Sequence, residues 1–148
     1  MLSARLVHLI ETNADRLSHD FLLRLQNDPR CADLSKVPPE ELRARSYEIY
    51  RNLSDWLLGN KTHELERLYT DLGAHRATQG VALSSLLYAI TATKEQLWHF
   101  LEAEGFATRP VELFGEMELF RMLDQFFDRA LYHAALGHER AQTRTVAA

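Results

Sequence analysis

Apolar residues recur at three- and four-residue steps along almost the whole chain, and no segment shows the strict alternation of a half-buried strand. Only a turn of 3.6 residues returns such positions to one face, so the pattern commits the chain to amphipathic helices. The first stripe holds Leu2, Leu6, Leu9, Leu17, Phe21 and Leu25 and ends near Asp28-Pro29. A residue preceding proline is pushed out of helical conformation, which gives that stop a physical cause. A loop over 30–38 carries Cys31, and Pro39 with Glu40 and Glu41 then opens a second helix, a proline in the first turn lacking only an N–H that would go unused. Leu42, Ile49, Leu53, Trp56 and Leu57 carry this helix to Gly59-Asn60. The third is expected from Thr62, as N-cap, to Gly80, with Leu65, Leu68 and Leu72 inward. Gly73 inside it costs about 1 kcal/mol against alanine, so a close packing partner is expected there. Leu83 to Leu101 form the fourth, stopping at Gly105. The fifth starts behind Thr108-Arg109 with Pro110 in its first turn and carries Leu113, Met117, Phe120, Leu123, Phe127 and Leu131 to Gly137.

The fold expected is therefore an all-α, single-domain bundle of about five amphipathic helices. Residues 1–138 form the domain, and ERAQTRTVAA over 139–148 reads as a tail or linker. The 148 residues suffice to bury roughly two-thirds of the unfolded surface without a metal or disulfide. With 17 Lys and Arg against 21 Asp and Glu, the net charge of −4 argues against a nucleic-acid surface. One cysteine cannot form an internal disulfide, the first residues are not expected to act as a secretory leader, and no run of 18 apolar residues long enough to span a bilayer occurs. A cytoplasmic location, with neither membrane nor nucleic acid as partner, is expected.

Seven histidines raise the question of a metal. His8 and Glu11, His63 and Glu66, and His99 and Glu102 share helix faces, but their order reverses the Glu-x-x-His pairs of di-iron bundles. They read as solvated faces, and no metal site is expected. His63-Glu64-Leu65 only superficially resembles a phosphoacceptor box. No Gly-rich phosphate loop, nucleophile elbow or Cys–His pair is evident, so no catalytic residue is assigned. His75 falls one turn beyond Leu68 and Leu72, where an inward histidine could ligate haem iron; a core histidine satisfied by a neighbour is the plainer reading. Lys94, between Ile90 and Leu97, sits where a bundle helix normally buries an aliphatic side chain. With Tyr88 and Thr91 nearby, and Arg76 and Gln79 beside His75, it suggests a ligand pocket lined by His75, Arg76, Gln79, Tyr88, Thr91 and Lys94. Against that stands a Lys94 that snorkels to the rim and an Arg76 paired with an acid on a neighbouring helix. The last helix carries more apolar surface than one stripe needs. Phe126, Phe127, Leu131 and Tyr132 suggest a dimer or signalling face, unless its own bundle buries that helix on several sides.

The segment Leu72-Gly73-Ala74-His75-Arg76-Ala77-Thr78-Gln79-Gly80-Val81-Ala82-Leu83 resembles the central signature of the RsbRD-type N-terminal domain family. The similarity continues through Leu86-Leu87-Tyr88-Ala89-Ile90 and Thr93-Lys94-Glu95-Gln96-Leu97-Trp98, with Asp28-Pro29 upstream and Phe126-Phe127-Asp128-Arg129-Ala130 downstream. This resemblance implies a non-catalytic, regulatory input domain of the bacterial stress response, as in stressosome proteins or the input of a histidine kinase, with a globin-like helical fold lacking haem. It implies a signalling protein or covalently linked output domain as partner and a small ligand or protein partner as signal, while the surplus apolar surface of the last helix leads us to expect a homodimer. The alternative is a haem- or gas-binding helical protein using His75. Arg76, Gln79 and Gly80 match the family pattern without a role attached.

Overall fold

The computed structural model describes residues 3–104 and 110–147, all of one helical domain. Among them are seven α-helices and one 3-10 helix: α1 (Ala4–Thr12), α2 (Ala14–Gln26), the 3-10 segment (Pro29–Lys36), α3 (Pro39–Arg51), α4 (Leu53–Leu58), α5 (Thr62–Thr78), α6 (Leu83–Glu104) and α7 (Pro110–Ala147). The all-α class agrees with the sequence, while the helices outnumber the five expected. Leu2, Gly105, Thr108 and Arg109 lie outside the described residues.

The extra breaks have a common cause. Asn13 divides the first stripe and Asn52 the second, and each donates its side-chain amide to the carbonyl four residues back, Leu9 at 2.8 Å and Glu48 at 3.0 Å. Asn27 ends α2 the same way, on Leu23 at 2.8 Å. A side chain that takes over a helical carbonyl lets the backbone leave the helix without stranding an acceptor. The breaks let short helices bend around one core while still burying their stripes: Leu6, Val7 and Ile10 on α1, and Leu17, Phe21 and Leu25 on α2. Each such aliphatic side chain contributes about 2 kcal/mol relative to exposure.

The expected loop over 30–38 is instead mostly 3-10 helix. Asp28 caps it by accepting from the Arg30 N–H at 2.9 Å, and Cys31 and Leu34 point into the core. Asp33 reaches on to accept from the Ala82 N–H at 2.9 Å, satisfying a donor at the start of α6. Thr62 is not an N-cap; it is the first residue of α5, behind Lys61, which makes no side-chain cap. At the other end of α5, Gly80 adopts φ +78°, the Gly80 N–H bonds the Ala77 carbonyl, and the Val81 N–H bonds the Arg76 carbonyl at 3.0 Å. This left-handed closure is the stop that the sequence placed at Gly80.

Gly137 does not end the last helix. α7 continues to Ala147, so the expected tail is helical over residues 139–147. Gly137 instead sits where α7 crosses α5. A Cβ there would lie 1.9 Å from the Thr70 carbonyl oxygen, and one on Gly73 would lie 2.0 Å from the Ala134 carbonyl oxygen. The partner expected for Gly73 is thus the α7 backbone. Ala130 and Ala134, both fully buried, continue this small-residue contact. Two further links fasten α1 to α7: the Ser3 N–H donates to the Gly115 carbonyl at 3.0 Å, and Arg5 pairs with buried Glu116 at 2.8 Å.

Gly137→Ala should destabilise the protein by roughly 3 kcal/mol, because backbone on the facing helix has no alternative rotamer with which to yield. Gly80→Ala should cost less, about 1 kcal/mol, since only its positive φ is at stake. Urea unfolding of both variants checks the order, and a reversed order would contradict the close crossing.

Candidate functional site

A cavity of about 60 Å³ is lined by α2, the 3-10 segment, α3, α5 and α6. Its walls are mainly apolar, with Phe21, Leu34, Ile49, Leu86 and Ile90 among them, and Arg45, Tyr69 and Arg76 also line it. Both arginines come from helices whose stripes otherwise bury Leu42, Ile49, Leu65 and Leu72.

Arg76 is 2% exposed, and a guanidinium cannot shed its charge, so it must be answered locally. Its Nη1 donates to Glu41 Oε1 at 2.7 Å and to Gln79 Oε1 at 2.8 Å. His75 Nε2 lies 3.0 Å from the same Glu41 oxygen, and Gln79 Nε2 donates to Glu41 Oε2 at 3.5 Å. The Arg76 hydrogen bond holds the Glu41 carboxyl below the usual carboxylate range, against the upward push of burial. The cluster ties α3 to the end of α5 and closes one side of the cavity.

Of the six residues expected to share a pocket, His75, Arg76 and Gln79 do come together, in this cluster. Its contacts do not extend to the three on α6. Tyr88 lies under the Arg30 guanidinium, 4.1 Å from ring centroid to Cζ, beside the Arg24–Glu95 pair. Lys94 pairs with Asp124 of α7 at 2.8 Å, with half of the Asp124 side chain exposed, so it spans α6 and α7 at the rim. Thr91 is half-buried on α6. Arg76 is thus paired with an acid on a neighbouring helix, and Lys94 reaches the rim, where it also meets an acid. His75 corrects the expectation of an inward ligand: its side chain is half exposed and engaged with Glu41, because the buried stripe of α5 runs through Tyr69, Leu72 and Arg76.

Three of the four residues expected to form a dimer or signalling face are wholly or partly buried. Phe126 and Phe127 are buried, 4% and 1% exposed, Leu131 packs partly against the core, and Tyr132 alone of the four is exposed. The rings of Trp56 on α4, Tyr69 on α5 and Phe127 approach Phe126 edge-on, with centroids 6.2, 6.2 and 5.1 Å away. Leu113 and Met117, expected inward, are exposed, as are Val111 and Phe114. In that half of α7 the inward positions are instead Gly115, Glu116 and Leu119.

Cys31 is buried, and burial raises its thiol pKa to about 11, which leaves it protonated and unreactive near neutrality. Among the described residues no group of three or more His, Cys, Asp and Glu side chains could hold a metal ion, and no helix is long and apolar enough to cross a membrane. The sequence reading missed the cavity and its polar residues Arg45 and Tyr69. It also missed His138, fully buried on α7, whose Nε2 lies 2.7 Å from the Val81 carbonyl oxygen. The signal for His138 was its place one residue beyond Gly137, which had been read as a stop.

The family model described as RsbT co-antagonist protein rsbRD N-terminal domain matches residues 15–148. No curated protein and no solved structure matches the chain.

Glu41→Ala should cost about 3 kcal/mol at neutral pH, more than Arg76→Met, because it strands a buried guanidinium whereas the second leaves a carboxylate that water can reach. Glu41 has a depressed folded pKa, so its contribution is full above the ordinary carboxylate pKa of about 4.3 and is lost as pH falls through the lower folded value. Urea unfolding of wild type and Glu41→Ala should thus give stability curves that converge towards acid. A gap that stays constant down to about pH 3 would contradict this role.

Proposed function

Because the chain belongs to the RsbT co-antagonist protein rsbRD N-terminal domain family, whose members are regulatory, we propose that it is a non-catalytic input domain of bacterial signal transduction. It senses a small ligand or a protein partner and passes the change along α7 to a signalling protein or a linked output domain. The observation that carries this reading is the position of α5 between the cavity and α7. Tyr69, Leu72 and Arg76 line the cavity. Gly73 and Thr70, on the adjoining face, meet the α7 backbone, and the Tyr69 ring meets Phe126.

A ligand can shift such a domain only through different affinities for two arrangements, and about 1.4 kcal/mol of difference changes their ratio tenfold. A contact between two backbones supports discrete alternatives rather than gradual sliding, because any rotation of α5 drives a carbonyl into the opposing helix. The family supports a partner among signalling proteins. Homodimerisation through α7, if it occurs, falls to Tyr132 and to the exposed Val111, Phe114 and Met117 rather than to Phe126 and Phe127.

The chain fused through the end of α7 to the output module of a bacterial signalling protein should give an output set by this packing. Phe126→Leu, which removes the ring between Tyr69 and Trp56, should shift basal output several-fold while unfolding stays cooperative. Output indifferent to this change in a folded protein would count against transmission through α7.

A further inference from the structure

The cavity has two polar groups that the protein leaves without an answer. Tyr69 is 6% exposed, so its ring is nine-tenths buried, yet its hydroxyl has no hydrogen-bond partner among the described residues. Arg45, half-buried on α3, lines the same space and makes no ion pair or hydrogen bond with any described residue. Burial raises the Tyr69 pKa well above its ordinary value, and the Arg45 charge acts in the opposite direction. The other polar groups facing the cavity are already engaged. Arg76 is held by Glu41, the Ser46 hydroxyl donates to the Arg43 carbonyl at 3.0 Å, and the Thr93 hydroxyl donates to the Ala89 carbonyl at 2.9 Å. No carboxylate lines the cavity.

An O–H donor and a guanidinium that no described residue pairs, lining one mainly apolar cavity, call for an anionic acceptor carrying a small apolar body. Among the described residues lining the cavity one cation is unpaired, which favours a monoanion, since a phosphate dianion would bring a second charge into mainly apolar surroundings. Size sets the rest. One water needs about 10–15 Å³ of such space, so roughly 60 Å³ accommodates a ligand of about four to six heavy atoms. We propose that the cavity binds a short-chain monocarboxylate, its carboxylate taken by Arg45 and the Tyr69 hydroxyl and its alkyl end packed against Phe21, Ile49 and Leu86. This inference rests on the regulatory reading and gives the signal a chemical class. Tyr69 then couples the ligand to Phe126 on α7 through the edge-on ring contact.

The test is titration of the purified full chain with sodium propionate and sodium butyrate, followed by calorimetry and by NMR of the cavity methyl groups. Propionamide and propylamine, of similar size without the negative charge, serve as controls. Binding with a dissociation constant of about 1 mM or tighter is expected for a carboxylate, with neither control binding. Tyr69→Phe, which removes a hydroxyl that no described residue bonds and so should leave the fold intact, should weaken binding about threefold or more, and Arg45→Met about tenfold or more. Absence of binding up to roughly 30 mM, equal binding of the amide, or indifference to both substitutions would overturn the proposal. The fused-output assay separates the two claims. Carboxylate binding with no change in output would support the cavity assignment and remove the regulatory reading. Failure to bind, with output still sensitive to Phe126→Leu, would remove the ligand class and leave regulation through α7 standing.

Discussion

The backbones of α5 and α7 touch, and most of the architecture follows from that contact. Gly73 and Gly137 face carbonyl oxygens of the opposing helix so closely that a single methyl group on either would overlap them. Helices ordinarily stand 8–10 Å apart because side chains intervene, and glycine at the crossing removes that spacer. Each glycine costs its helix about 1 kcal/mol, which the tertiary contact must offset. Once α5 is fixed against α7, its remaining buried face is committed as well: Leu72 and Arg76 line the cavity with α3 and α6, and Tyr69 lines it while its ring meets Phe126 of α7. The cavity and the polar cluster are products of that commitment.

A bundle could fill this space with leucine. Instead it holds two arginines, one satisfied inside the protein and one not. The pair formed by Arg76 and Glu41 is weak evidence for stability, since hydrophobic replacements of buried pairs are often neutral or better. What the pair does is orient: with Gln79 and His75 gathered around one carboxylate, the end of α5 has one position relative to α3. Arg45 and Tyr69 have no such internal duty. The contrast between a completed cluster and an open pair of donors within the same cavity marks a region where the core is organised for something other than packing.

Much of this was legible in the residues. Helical periodicity, the stop at Gly80 and a close partner for Gly73 all follow from local rules, and the structure agrees with them. The misreadings share a cause, which is that local rules do not know what lies opposite. Gly137 has the composition of a stop but is held in helix by the Thr70 backbone. Asn13 and Asn52 look like ordinary polar positions until their side chains take a carbonyl four residues back. On α5 the expected stripe was set by Leu68, Leu72 and His75, whereas the buried residues are Leu65, Tyr69, Leu72, Gly73 and Arg76. A shift of one residue is a rotation of about 100°, enough to exchange a buried arginine for an exposed histidine. The same ambiguity moved Phe126 inward and Met117 outward on α7. The candidate site was thus half legible: Arg76 and Gln79 stood out as polar residues near an inward face, while Arg45 and Tyr69 carried no local signal and became visible only once five helices came together around one cavity.

The central claim is that α5 and α7 form one mechanical unit joined at the glycine crossing. Native-state hydrogen exchange in low denaturant tests it most directly, because amides in one cooperative unit share an opening free energy and a denaturant slope. The account predicts that amides from Thr70 to Arg76 and from Ala130 to His138 exchange through the same opening, at or near the global unfolding free energy. If one helix exchanges through a separate, lower-energy opening while the other stays protected, the two are not a unit, and a signal could not pass between them as described.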